Sequence, residues 1–211
     1  MKTVCSLSIA AGMTAVLAAS ANAGFSFTQQ ASQTTTYANQ LNFDEPGTPT
    51  GLVPANTWAS LGINIHNGDS PNNTYVDNFS NDLPWLPNNN ASYNVWGCYI
   101  DLSTAATGFS FQAWDTSGPP SFFGGGLLVG VADANGNLID GLVFNPAWGG
   151  IGDTWFNITA TGGDSFSHIV IAGMGFFPET FVDNLSWNTV PGPGAMALLG
   201  LGLVRGRRRS A

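Results

Sequence analysis

The sequence predicts an all-β fold, an antiparallel β-sandwich, and three observations carry that expectation. Helix formers are scarce: between Gly24 and Val190 there is no Lys or Arg and only two Glu, and no window holds an apolar 3.6-residue period of useful length. Short runs rich in β-branched and aromatic residues recur instead, separated by Gly, Asn, Pro and Asp, which is the pattern of a sandwich or barrel. All 14 Phe, 7 Trp and 4 Tyr lie in that same stretch, which supplies a sizeable core and excludes a disordered composition.

The elements follow in order. Phe25 and Phe27 alternate in a first strand, and the Gln/Thr/Ser-rich residues up to Gln40 form a solvated connection. Leu41–Asp44 is short and β-like, and Glu45–Asn56, with three prolines, is expected as a loop. Leu61–His66 alternates as a strand. The Asn- and Pro-rich segment Asn67–Asn90 is expected as a long irregular insertion without a regular element. Tyr93–Ile100 is a strand with Cys98 on one face, and Thr107–Trp114 is a strand with Phe109, Phe111 and Ala113 on one face.

Leu127–Asp133 and Asn137–Phe144 flank Ala134-Asn135-Gly136, and Asn-Gly between apolar runs is the strongest hairpin signal in the chain. Thr154–Thr159 is the next strand. Phe166–Ala172 sets Ile169 and Ile171 against Phe166, His168 and Val170. Phe181–Trp187 closes the domain, with Val182, Asn184 and Ser186 opposite Phe181, Asp183, Leu185 and Trp187. About nine or ten strands result.

The two ends read differently from the middle. Lys2, the apolar small-residue run Val4–Ala19 and the small residues Ala21 and Ala23 form a signal peptide over 1–23, cleaved after Ala23. The β-sandwich domain spans 24–189. Residues 190–211 combine a hinge at Val190, Pro191 and Pro193 with the apolar run Ala195–Val204 and a cluster of Arg205, Arg207, Arg208 and Arg209. The apolar run, expected as a short C-terminal helix, is half of what a self-sufficient span of about 20 residues needs, and its arginines stay cytoplasmic by the positive-inside rule.

That tail resembles the PEP-CTERM sorting signal of exported bacterial proteins, with Gly192 in place of the usual Glu. The resemblance implies export, transient membrane association through the C-terminal segment, removal of the tail by an exosortase-type enzyme after signal peptidase has acted, and release to the cell surface or extracellular matrix. A second resemblance rests on the order of Phe43-Asp44, Leu61–Ile65, Gly108–Phe111, Asp133–Asn137, Phe166–Ile171 and Phe181–Ser186. This layout is similar to jelly-roll domains related to carbohydrate-binding modules, and it implies a glycan ligand such as extracellular polysaccharide.

Composition narrows the function. The 13 Asp and Glu all lie between Gly24 and Val190, and a domain with no Lys or Arg cannot neutralise phosphates, so nucleic-acid binding is excluded. After signal cleavage one cysteine, Cys98, remains, which excludes an intrachain disulfide and reads as a small buried residue. The Gly-Asp-Ser triplets at 68–70 and 163–165 read as turns, because a Ser nucleophile needs a His base held by a carboxylate and neither His66 nor His168 follows in the expected element. No marked carboxyl pair points to glycoside hydrolysis, so no catalytic residue is assigned. Asp133, Asn135 and Asn137 start like a calcium loop, but Leu138 and Phe144 occupy positions that need Gly and Glu.

Two binding expectations remain. In a jelly roll the first and last strands lie side by side, so Asp44 or Glu45 could meet Asp183 around a structural calcium; solvated surface acids are the alternative. Trp58, Trp85, Trp114 and Trp148 lie in or beside polar loops or strand ends and are candidates for stacking on sugar rings, against a core or loop-anchoring role. The sequence therefore predicts an exported, non-enzymatic surface or matrix protein that binds glycans, with a polysaccharide-active hydrolase or a purely structural matrix protein as alternatives.

Overall fold

The computed structural model describes residues 24–78, 90–115, 126–144, 154–173 and 179–190. These residues form thirteen strands: β1 Gly24–Gln30, β2 Asn39–Leu41, β3 Gly51–Pro54, β4 Ile63–Asn67, β5 Asn73–Asn78, β6 Asn90–Val95, β7 Cys98–Ala106, β8 Gly108–Asp115, β9 Leu127–Ala132, β10 Leu138–Phe144, β11 Trp155–Thr161, β12 Phe166–Gly173 and β13 Glu179–Trp187. One sheet of eight strands runs β1-β11-β8-β13-β6-β5-β3, with β2 paired to β13; the other runs β10-β9-β12-β7-β4. Adjacent strands are antiparallel throughout, and the sheets face each other as a sandwich.

One continuous core lies between the sheets. Phe109, Phe111, Phe156, Ile158, Val182 and Trp187 come from the larger sheet, and Ile65, Cys98, Ile100, Val129, Ile169 and Ile171 from the smaller; all are buried. Burying a side chain of this class stabilises the fold by about 1.5–3 kcal/mol relative to leaving it exposed. A satellite cluster of Trp114 and Phe181, with Tyr93 against it, sits apart from that core.

The expected hairpin forms. Asp133 N–H donates to Asn137 O at 2.9 Å, Gly136 N–H donates to Asp133 O at 2.9 Å, and Gly136 takes φ 82°. The Asp133 carboxylate accepts from Asn135 N at 2.8 Å and Asn137 N at 2.9 Å, so the calcium-like residues serve the turn.

Five expectations are corrected. The Asn-rich segment holds a regular strand, β5, and the proline-rich segment before it holds β3, the two pairing from Gly51↔Val76 to Pro54↔Asn73. Val53 and Val76 are buried while Leu52 and Tyr75 are exposed; this alternation is real but too short to stand out beside the prolines. Pro54 is accommodated because β3 is an edge strand.

Tyr93–Ile100 is not one strand. Trp96 and Gly97 both adopt left-handed backbone, at φ 60° and 95°, and the chain turns there from β6 in one sheet to β7 in the other.

The face assignment of the last strand also changes. Asn184 takes φ 52° and the register with β8 shifts between Asp183 and Ser186. This bulge puts Val182, Leu185 and Trp187 in the same core and Phe181 in the satellite cluster, because an extra residue inverts the alternation beyond it. A register shift between Phe166 and His168 likewise brings Phe166 onto the side of Ile169 and Ile171.

Candidate functional site

The tryptophan candidates do not form a platform. Trp58 is 6% exposed and packs edge-to-face on Phe43, with ring centroids 5.1 Å apart. Trp114 is 3% exposed, packed with Phe181. Both are core residues, which corrects their assignment as ligand-stacking residues: a polar neighbourhood in sequence does not expose a ring that folds inward. Trp85 and Trp148 lie outside the described residues. Among the described residues the exposed tryptophan is Trp96, at 59%, on the corner between β6 and β7.

Asp44 and Glu45 lie on the exposed turn after β2, and β2 does pair with β13. Their carboxylates serve that turn and its surroundings: Asp44 Oδ1 accepts from Asn90 N at 2.8 Å and Glu45 Oε1 from Asn42 N at 3.2 Å. Asp183 is fully buried and accepts from Asn184, N to Oδ1 at 2.7 Å and Nδ2 to Oδ2 at 3.1 Å. The cleft of about 100 Å³ between β2 and β13 is lined by Glu45 and Asn184. Among the described residues no three His, Cys, Asp or Glu side chains are grouped to hold a metal.

Val190 ends the described domain, with its N–H on Ala105 O at 2.8 Å. Pro191, Pro193, Arg205, Arg207, Arg208, Arg209, Ala21 and Ala23 lie outside the described residues. Among the described residues no helix is long and apolar enough to cross a membrane.

The convergent polar site is elsewhere, on the outer face of the five-stranded sheet. In β7, Cys98, Ile100 and Leu102 point into the core, so Tyr99 and Asp101 point out. In β4, Ile63 and Ile65 point in, so Asn64 and His66 point out. Register sets Asn64 opposite Asp101 and His66 opposite Tyr99 across β4–β7, and His168 opposite Asp101 across β7–β12.

Both histidines of the chain thereby meet on one carboxylate. His168 Nδ1 is 2.8 Å from Asp101 Oδ1, and His66 Nε2 is 3.7 Å from Asp101 Oδ2. The second separation is beyond a direct hydrogen bond but well within strong electrostatic reach. His66 stacks on Tyr99 with centroids 5.4 Å apart and planes 8° from parallel, and its Nδ1 is 3.0 Å from Asn67 O. The Asp101 carboxylate raises the pKa of His66 above its ordinary value, against the opposing effect of burial. The two imidazoles, His66 first, hold Asp101 below the usual carboxylate range.

Two hollows flank this cluster and share His66, Pro71 and Asp101. One, of about 430 Å³, is walled by Asn56, Asn64 and Asn72; the other, of about 350 Å³, by Tyr99, Ala132 and His168. Together they make a groove across β4, β7, β12 and β9, three strand spacings or about 14 Å wide. Its chemistry is carboxamide, imidazole and carboxylate, with aromatic and proline walls. No Ser, Thr or Cys lines either hollow, and Asp101 is their one carboxylate.

Sequence reading missed this site because nothing in the chain links His66 to His168. The available signal was phase: both histidines fall opposite core isoleucines in their strands, as Asp101 falls opposite Ile100. Pairing register, which the sequence does not display, brought them together.

No protein-family model and no characterised protein matches the chain by sequence. Among solved structures, the K2 cleaved adhesin domain of Lys-gingipain aligns at a TM-score of 0.32 and 10% identity, over 78% of this chain and all of that domain. At that TM-score the likeness carries no argument about this chain.

Proposed function

We propose that this chain is an exported, non-enzymatic β-sandwich that acts at the cell surface or in the extracellular matrix and binds glycan in the groove over Asp101. The observation that carries the reading is that groove: a strip on the outer face of a sheet, part polar and part apolar, with hydrogen-bonding side chains converging from three strands. Sugar hydroxyls need such donors and acceptors at fixed positions, and an ionised carboxylate gives the stronger, charge-assisted kind. Hydrolysis of a glycosidic bond uses two carboxyl groups, whereas one lines the groove, and a Ser or Cys nucleophile is lacking there.

Export rests on the signal-like first 23 residues and on the hinge, apolar run and arginine cluster of the tail. In this reading signal peptidase and an exosortase-type enzyme process the two ends.

The test is a glycan array with the exported protein, paired with intact-mass spectrometry. Binding that is lost in Asp101→Ala and Asn64→Ala, while both variants stay folded by circular dichroism, supports the reading. An array without signal, or a mass that retains Arg205–Arg209, overturns the corresponding half.

A further inference from the structure

Two hydrogen-bond acceptors face each other in the groove. His66 Nδ1 lies 3.0 Å from the Asn67 carbonyl oxygen; a carbonyl only accepts, so Nδ1 carries the hydrogen. In the neutral ring, Nε2 is then a bare lone pair. It points across β4–β7 at Asp101 Oδ2, 3.7 Å away. The other carboxylate oxygen is already held by His168 at 2.8 Å. Stacking on Tyr99 at an interplanar angle of 8° fixes the plane of the His66 ring, so Nε2 cannot easily swing elsewhere. The gap between Nε2 and Oδ2 therefore takes a donor: a proton on Nε2, or an O–H group of water or of a bound molecule, whose one hydrogen goes to one of the two acceptors.

We propose that a ligand hydroxyl and a proton compete for the gap between His66 Nε2 and Asp101 Oδ2, so that the groove binds a neutral polyhydroxylated glycan when His66 is unprotonated and releases it on acidification. This rests on the glycan-binding reading of the same groove. The ligand class follows from the surrounding charge. His66 faces Asp101 and Tyr99 from β7, and His168 reaches the same carboxylate from β12. Asp101 is the carboxylate that lines the groove, and Asp133, between the lining residues Ala132 and Ala134, turns its carboxylate to Asn135 and Asn137. No Lys or Arg lies between Gly24 and Val190 to offset them. That field favours proton uptake and repels a uronate, leaving uncharged sugar as the matching class. Asp101 is the most open of the three, its side chain 40% exposed against 18% for His66 and 31% for His168, so a hydroxyl enters from the carboxylate side.

The consequence is a one-proton linkage. Below the midpoint of His66, affinity falls by about tenfold per pH unit; a histidine midpoint puts that fall near neutral pH.

The experiment uses the full chain on an array of neutral and uronate-bearing oligosaccharides at about pH 8 and about pH 5.5, with ¹⁵N imidazole NMR over the same range. Expected are neutral-glycan signals at the higher pH that fall at the lower, and a His66 ring carrying its hydrogen on Nδ1 at the higher pH and gaining one on Nε2 in acid. Neutral glycans bound equally at both pH values overturn the competition and leave the binding reading intact. So does a neutral His66 ring protonated on Nε2 instead, an outcome that needs no variant and no ligand. Preference for uronates overturns the ligand class. An array silent at both pH values overturns the glycan reading and this inference together.

Discussion

Asn188 and Thr107 hold each other at the point where β8 begins. The Asn188 Oδ1 accepts from Thr107 N at 2.8 Å and from Gly108 N at 2.9 Å, and its Nδ2 donates to Thr107 Oγ1 at 2.7 Å. One side chain, just past the end of β13, thus supplies the acceptor for two part-buried N–H groups that start the neighbouring strand. Asn188→Ala leaves both without that acceptor and should cost about 2–3 kcal/mol, which lowers the melting temperature by roughly 2–4 °C for each kcal/mol in a domain of this size. Asn188→Asp keeps the acceptor oxygen and should lose less. Equal losses in the two variants would show that the acceptor role is not what matters.

The His66–Asp101 pair makes stability depend on pH with a definite sign. His66 is raised from 6.5 in the folded chain, so its contribution is fully present below about pH 6.5 and fades as the pH climbs through the folded value. Asp101 is lowered from 3.8, so its contribution is present above about pH 3.8 and fades as the pH falls through the folded value. The pair therefore contributes most between those limits. Asp101→Asn should flatten the melting-temperature profile on the alkaline side of that window; an unchanged profile there would remove the pair as its cause.

Trp58 should respond to mutation as a core residue. Trp58→Ala opens a cavity against Phe43 and should cost about 3–5 kcal/mol. Trp58→Phe should restore much of this and leave glycan-array signals at the wild-type level. A folded Trp58→Phe that loses glycan binding would restore the stacking role that burial has taken from this ring.

Cys98 should be silent to thiol reagents. It is fully buried in the core, and burial pushes the thiol pKa up, so almost no thiolate forms near neutral pH. Modification by a maleimide should track unfolding in denaturant and be negligible in the native protein. Rapid native labelling would place the sulfur at the surface.

Gly68 tests the corner beside the groove. A Cβ there would lie 2.1 Å from the Trp96 carbonyl oxygen, and its N–H already bonds Val95 O at 3.1 Å and Gly97 O at 2.9 Å. Gly68→Ala must push backbone against backbone, so it should destabilise by about 2 kcal/mol or more and weaken glycan binding by moving Pro71. Gly136→Ala, which meets nothing within 4 Å but sits at φ 82°, should cost only about 1 kcal/mol. A Gly68→Ala protein as stable as the wild type would mean that the loop yields freely.

The legible part of this fold was local. β8 and β9 each carry an alternation of apolar core residues, and Asn135-Gly136 marks a turn by its own backbone preference. β3 and β5 were hidden, because an edge strand tolerates Pro54 and Asn-rich sequence when its partner supplies the hydrogen bonds. Asn184 and Trp96 defeated the reading of faces: a single residue in left-handed backbone inverts or breaks an alternation, and neither is the glycine that would have advertised it. The site depended on which strands became neighbours. Asp101, His66 and His168 each showed their outward phase, but only the order β12-β7-β4 makes them one group.

The place of β13 also governs how this chain can reach its fold. It pairs with β8, β6 and β2, so the last strand among the described residues is a central member of the larger sheet, paired with the second strand as well. Until residues near Trp187 are available, β8 and β6 each lack their partner on one side, and Leu41 lacks its cross-strand partner Leu185. Pairings this distant in sequence close slowly because the loop entropy is lost before any contact repays it. The larger sheet of this topology is therefore completed only when β13 arrives.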